Sequence, residues 1–228
     1  MSEIQWEAEL AATSTNSINR ARTEEWANTV THGLGAAFSL VGVLALVALL
    51  DAVPRGLAAS CLVYGATLVA VFVVSTISHA VQEPRTKHLW RIWDQGLIYS
   101  LIAGSYTPFI WVYSPPPTRD FVLVAIWSAA LLGLFVKVVL QHRIGTTTTY
   151  SYLLLGWLPA LAIASRVPLD AALGMLLGGL LYTAGTFLLK KDERYRYFHA
   201  LWHLMVIAAA ACHYLILLNY LVLGAGSV

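Results

Sequence analysis

Apolar residues in this chain fall in long unbroken blocks. They neither alternate with polar ones nor recur on a single helical face. Seven blocks stand out, near 29–50, 57–81, 93–113, 120–140, 148–165, 169–189 and 198–223. A helix crossing a hydrocarbon core of about 30 Å needs about 20 apolar residues, and the blocks reach or approach that length, the fifth being the marginal one. Ten-residue segments of strict alternation are missing, which argues against an outer-membrane barrel. The pattern predicts an all-α membrane protein with seven transmembrane helices. Residues 1–28 are expected to be a cytoplasmic N-terminal tail and interfacial segment, with a turn around "TEEWANTVTH", and residues 29–228 the transmembrane domain. The three prolines of "YSPPPTRD" are expected to exclude helix and make an outer turn.

Composition agrees with this reading. Of 228 residues 58% are hydrophobic and only 11% charged, with a mean hydropathy of +0.69. A water-facing surface takes about a quarter charged residues. The start of the chain lacks the basic segment and short apolar core of a cleaved signal peptide. If the N-terminus is cytoplasmic, inner segments hold 11 Lys and Arg and outer ones 3, namely Arg55, Arg119 and Arg166. That asymmetry predicts an inside N-terminus and an outside C-terminus. The net charge of +2 reports the inner loops, so no nucleic-acid partner is implied. Cys61 and Cys212 lie within spans and read as free thiols. "GMLLG" in the sixth span reads as a close-packing face.

The topology brings polar residues to one membrane level. His79 closes the second span in "STISH", Asp94 opens the third, and His199 and His203 open the seventh in "HALWH". Four residues apart, His199 and His203 share a helical face about 6 Å apart along the axis. Two imidazoles so placed, with His79 from another helix, make a three-nitrogen set typical of catalytic zinc, which keeps one position open. Asp94 is then available to orient or deprotonate a water, or to hold a ligand imidazole from behind. Its competing role is a salt bridge to Arg91 or a helix cap. Ser75, one turn before His79, can donate a hydrogen bond in the same pocket. His213 lies ten residues beyond His203, about 15 Å along the helix, and reads as a packing or pocket-lining residue. His32 is a candidate pocket lining, or a cap or interface contact. His88 and His142 read as solvated residues of inner loops.

The chain resembles the bacterial hemolysin III proteins, and more distantly the progestin and adipoQ receptors. The resemblance rests on "EEWANTVTHGLG", "STISH", "WDQGLIYSLIAGSYTPF" and "FHALWHLMVIAAAACHY", which cover the membrane core in order. It implies a seven-helix protein of the bacterial cytoplasmic membrane with an intramembrane zinc near the inner face. The family's second-span serine and histidine fall on Ser75 and His79, its third-span aspartate on Asp94, and its last-span histidines on His199 and His203. It further implies a metal-dependent lipid-amide hydrolase with ceramide-like substrates on the receptor branch. Gln95 departs from the pattern, where a histidine or an aromatic residue is commoner.

Two classes of function follow. One is a zinc-dependent hydrolase of lipid amide or ester bonds, with Asp94 and Ser75 as catalytic residues and a membrane lipid as substrate. The other is a receptor, signalling or membrane-homeostasis protein whose zinc is structural. Transport ranks lower, because the charges gather at the inner edge and do not run through the membrane. A retinal-type pump is excluded, since the last lysine, Lys191, precedes the seventh span.

Overall fold

The computed structural model describes residues 3–140 and 146–224, with side chains from 19–140 and 149–224. Among these residues helix is the only regular secondary structure, with no strand. Seven helices follow one another: α1 (Glu3–Val47), α2 (Arg55–Ala80), α3 (Pro84–Tyr113), α4 (Pro116–Val138), α5 (Thr146–Ile163), α6 (Leu169–Leu189) and α7 (Phe198–Ile216). A π-helical stretch, Leu217–Leu223, continues α7. His142 and Arg143, expected in an inner loop, lie outside the described residues.

Five helical segments are long and apolar enough to cross a membrane; α3 and α5 are not among them. The reason for α3 is its first turns, which carry Arg85, Lys87, Arg91 and Asp94 and lower its hydropathy. Described side chains of α5 begin at Thr149, leaving the short apolar segment Thr149–Ile163.

Burial is inverted relative to a water-soluble protein. Large apolar side chains face outward, with Phe121, Leu161 and Leu169 each more than 70% exposed, while Ser75, Ser78, His79 and His203 are buried. Lipid solvates the first group at no cost, whereas polar groups at membrane depth turn inward to find partners.

The most extensive pairings join α2 to α3, α6 to α7, α1 to α2 and α3 to α4, and α1 also meets α7. Small residues allow the close approaches. A Cβ on Gly104 of α3 would come 2.2 Å from Thr67 Oγ1 of α2. In "GMLLG", a Cβ on Gly174 would meet Ile216 at 2.4 Å and one on Gly178 would meet His213 at 2.5 Å. That stretch is the close-packing face the sequence indicates.

Two local expectations are corrected. "TEEWANTVTH" is helix within α1, not a turn, and α1 is helical from Glu3. Pro116 and Pro117 do not exclude helix: they open α4, where a missing backbone N–H costs nothing. Only Ser114 and Pro115 remain between α3 and α4. Glu83 caps α3, its carboxylate accepting from Thr86 N at 2.6 Å and Arg85 N at 3.0 Å. Those bonds, the contact to Thr86 foremost, hold its carboxyl below the ordinary range.

Candidate metal centre

His79 sits in the last turn of α2, and His199 and His203 in the first two turns of α7. The pairing of α1 with both helices closes the gap between them. One ring nitrogen from each histidine lies within 4.8 Å of the others. Ring centroids are 5.0 Å apart for His79–His199 and His79–His203, and 4.6 Å for His199–His203. The three histidines are thus close enough to bind one metal ion.

Hydrogen bonds behind the rings bear on their tautomers. His79 Nδ1 lies 2.7 Å from Glu25 Oε2, and His199 Nδ1 lies 2.7 Å from Asp192 Oδ2. A carboxylate only accepts, so each Nδ1 carries the proton. His203 Nδ1 lies 3.1 Å from Thr31 Oγ1. The Thr31 hydroxyl hydrogen is directed at the carbonyls of Ala27 and Asn28, at 2.9 and 3.0 Å, so Thr31 accepts from His203. All three imidazoles therefore keep the lone pair on Nε2. In His79 and His203 that nitrogen is buried without a partner. Metal-binding histidines characteristically donate their other nitrogen to an oxygen in this way. The donor set fits a borderline-soft divalent cation such as zinc.

Glu25 does more than hold His79. Its Oε1 also receives Lys87 Nζ at 2.9 Å and Arg91 Nη2 at 2.8 Å, tying α1 to α2 and α3. Arg91 is thereby paired with Glu25. Asp94 is half-buried, with Ser78 Oγ 3.2 Å from its Oδ2. That hydroxyl is also 2.9 Å from the Ser75 carbonyl, so its hydrogen is shared between two acceptors. Ser75 Oγ is fully buried beside Asp94 without completing a hydrogen bond.

Other histidines take different places. His32 is buried and packed against His203, with ring centroids 3.5 Å apart and the planes tilted by 36°. His213 Nε2 donates to the Met175 carbonyl at 3.2 Å. His88 is exposed in the first turns of α3. Gln95 accepts from Tyr152 OH through its backbone carbonyl at 2.8 Å, and Lys137 Nζ lies 3.5 Å from its Oε1.

An apolar cavity of about 320 Å³ lies among α3, α5, α6 and α7, lined by Leu101, Tyr106, Trp157, Met175, Trp202 and His213 among others. Much of its polar lining is spent within the protein. Tyr106 OH donates to the Gly156 carbonyl, Trp157 Nε1 to Thr183 Oγ1, and Thr183 to the Gly179 carbonyl. Trp202 connects this cavity to the histidines, its ring 5.3 Å from His199 and 5.4 Å from His203.

Glu25, Thr31, Ser78 and Asp192 were not expected from sequence. Glu25, Asn28 and His32 follow a helical period, a signal concealed by reading "TEEWANTVTH" as a turn. Asp192 lies in the α6–α7 connection, and no periodicity points to it. That connection ends at Tyr197, whose φ of 61° is the one positive value for a non-glycine among the described residues. The strained residue immediately precedes the helix that carries His199 and His203.

Apolar helices around a buried histidine cluster define a multi-pass integral membrane protein with a metal-competent centre. The haemolysin-III related family model matches residues 20–214, and the chain belongs to that family. It is 32% identical to Hemolysin-3 of Bacillus cereus, covering 86% of this chain and 91% of the relative. It is 33% identical to the Hemolysin-3 homolog of Bacillus subtilis (strain 168), covering 87% and 95%. A human relative, the monocyte to macrophage differentiation factor, is 31% identical over 87% of this chain and 84% of its own. No solved structure matches the chain. The apolar helices and the bacterial relatives make it a protein of the bacterial inner membrane.

Proposed function

We propose that this protein is a zinc-dependent hydrolase of lipid amide or ester bonds, with His79, His199 and His203 holding the metal. The observation that carries the reading is the tautomer arrangement. Three imidazoles are anchored through Nδ1, with Nε2 of His79 and His203 buried and unpartnered, beside a half-buried carboxylate. Bound zinc supplies Lewis-acid polarisation of an acyl carbonyl and makes water more acidic. Asp94 accepts the proton of the attacking water, whose oxygen bonds to the acyl carbon. Asp94 then returns that proton to the leaving nitrogen or oxygen as the acyl bond breaks. Ser78 steadies the Asp94 carboxylate, and Ser75 donates to substrate or to the developing oxyanion. The 320 Å³ cavity takes an acyl chain, its apolar walls offering little else to bind.

We infer further that all seven helices span the membrane, with the N-terminus cytoplasmic and the C-terminus outside. The 11-to-3 distribution of Lys and Arg supports that orientation. The test is fatty-acid release from N-acyl amide and acyl ester lipids by purified protein in lipid nanodiscs, with and without chelator. Release that chelator abolishes and zinc restores is the expected result. Asp94→Asn should keep the metal and lose activity by about 10²–10⁴-fold. A metal-loaded wild type that cleaves neither lipid would sink the hydrolase reading. It would favour a receptor or signalling protein whose metal ties α2 to α7.

A further inference from the structure

The 320 Å³ cavity runs along the helices rather than across them. Its walls extend from Leu101 to Phe109 on α3, from Ala172 to Thr186 on α6 and from Trp202 to His213 on α7. Trp202 puts the inner end beside the histidines. The ten residues from His203 to His213 rise about 15 Å, a distance that an extended acyl chain covers in about twelve carbons. A chain whose carbonyl lies at the metal centre therefore has its middle at the depth of His213.

Most polar groups along this path are spent within the protein. Besides the bonds of Tyr106, Trp157 and Thr183, Ser105 donates to the Ile102 carbonyl at 2.9 Å and Thr186 to the Thr183 carbonyl at 2.7 Å. Two groups farther out are not spent. The Tyr182 hydroxyl has no hydrogen-bond partner among the described residues, and it is not one of the fully enclosed atoms. His213 gives its Nε2–H to the Met175 carbonyl, so the lone pair is on Nδ1. That atom too is neither partnered nor fully enclosed. Both residues line the cavity, with ring centroids 5.8 Å apart. The imidazole is wedged against α6, where a Cβ on Gly178 would come 2.5 Å from Nε2. An apolar cavity thus carries a fixed polar spot well away from the metal centre.

We propose that the cavity selects an acyl chain carrying a hydroxyl near its middle, with Tyr182 and His213 as the specificity-determining pair. The proposal rests on the reading of this cavity as the acyl-chain site and names the chain. A hydroxyl on the chain can pair with the phenol as donor or acceptor, or give its hydrogen to His213 Nδ1. A methylene does neither. A plain chain leaves both protein groups facing hydrocarbon, where unmatched polar atoms are costly. Sites that pair with a ligand hydroxyl discriminate against the analogue that lacks it.

The test compares 12-hydroxyoctadecanoic, 2-hydroxyoctadecanoic and octadecanoic acids, titrated separately into purified protein and read by native mass spectrometry. Wild type should bind the 12-hydroxy acid about fivefold or more tighter than either of the others, as one net hydrogen bond provides. Methyl esters of the three acids should keep that order, since the preference lies in the chain and not in the carboxylate. Tyr182→Phe, which removes only the hydroxyl, should hold its metal, bind octadecanoic acid as wild type does and lose most of the preference. Ser105→Ala, which removes a hydroxyl already spent in the same wall, should keep the preference. Equal binding of the 12-hydroxy and plain acids by wild type overturns the proposal. So does a preference that follows the hydroxyl to the second carbon, an undiminished preference in Tyr182→Phe, or failure of all three acids to bind. These readouts need no turnover and stand apart from the cleavage assay. A protein that cleaves lipids without the preference loses this proposal alone, and one that shows the preference without cleaving loses the hydrolase reading alone.

Discussion

Glu25 offers the sharpest perturbation of the metal centre, because it touches no ion and yet should control one. Its Oε2 holds His79 Nδ1 at 2.7 Å, fixing the tautomer and ring plane of a histidine that is only 4% exposed. Loss of such a partner lowers metal affinity by about 10–100-fold, or about 1.4–2.8 kcal/mol. Glu25→Gln keeps an oxygen that can accept from Nδ1 and removes only the charge, so about tenfold is expected. Glu25→Ala removes the acceptor and should approach a hundredfold. The ion pair with Arg91 contributes little of this. That side chain is 48% exposed, and such pairs are worth about 0–1 kcal/mol. Arg91→Ala should therefore weaken metal binding by less than about fivefold. The assay is zinc competition against a chelator of known affinity, with purified protein in nanodiscs. Wild-type affinity in Glu25→Ala, alongside metal loss in His79→Ala, would refute the argument that the hydrogen bond behind the ring sets the affinity.

Other outcomes follow from the same geometry. Asp192→Asn and Thr31→Val, which disturb the acceptors behind His199 and His203, should each weaken zinc binding in the same chelator assay. Gly104→Ala should destabilise the protein by about 1–3 kcal/mol, since the new Cβ would overlap Thr67. Gly156→Ala meets nothing within 4 Å and should be neutral or stabilising by up to about 1 kcal/mol; thermal unfolding in detergent compares the two. Reporter fusions at the two termini should show opposite accessibility, with the N-terminal reporter on the cytoplasmic side.

The histidines were legible in the sequence because helical geometry and charge asymmetry act over long, uniform blocks. Spacing placed His199 and His203 on one face, and topology carried His79 to the same depth. The partners behind the rings were less legible, for separate reasons. Glu25 and Thr31 belong to a polar stretch that looked like an interfacial turn. The stretch is helix because α1 packs on both α2 and α7, a tertiary cause that local composition does not reveal. Asp192 depends on the path of the α6–α7 connection, and Ser78 on the rotation of α2 toward Asp94. The prolines after Tyr113 misled in the opposite sense, since residues that break a helix interior are well suited to its first turn.

The central claim is that His79, His199 and His203 together hold one metal ion, and elemental analysis of purified protein tests it most directly. One zinc per chain is predicted for wild type and for His213→Ala, with occupancy largely lost in each of His79→Ala, His199→Ala and His203→Ala. Full zinc occupancy in any of those three variants, or none in a correctly folded wild type supplied with zinc, would contradict it.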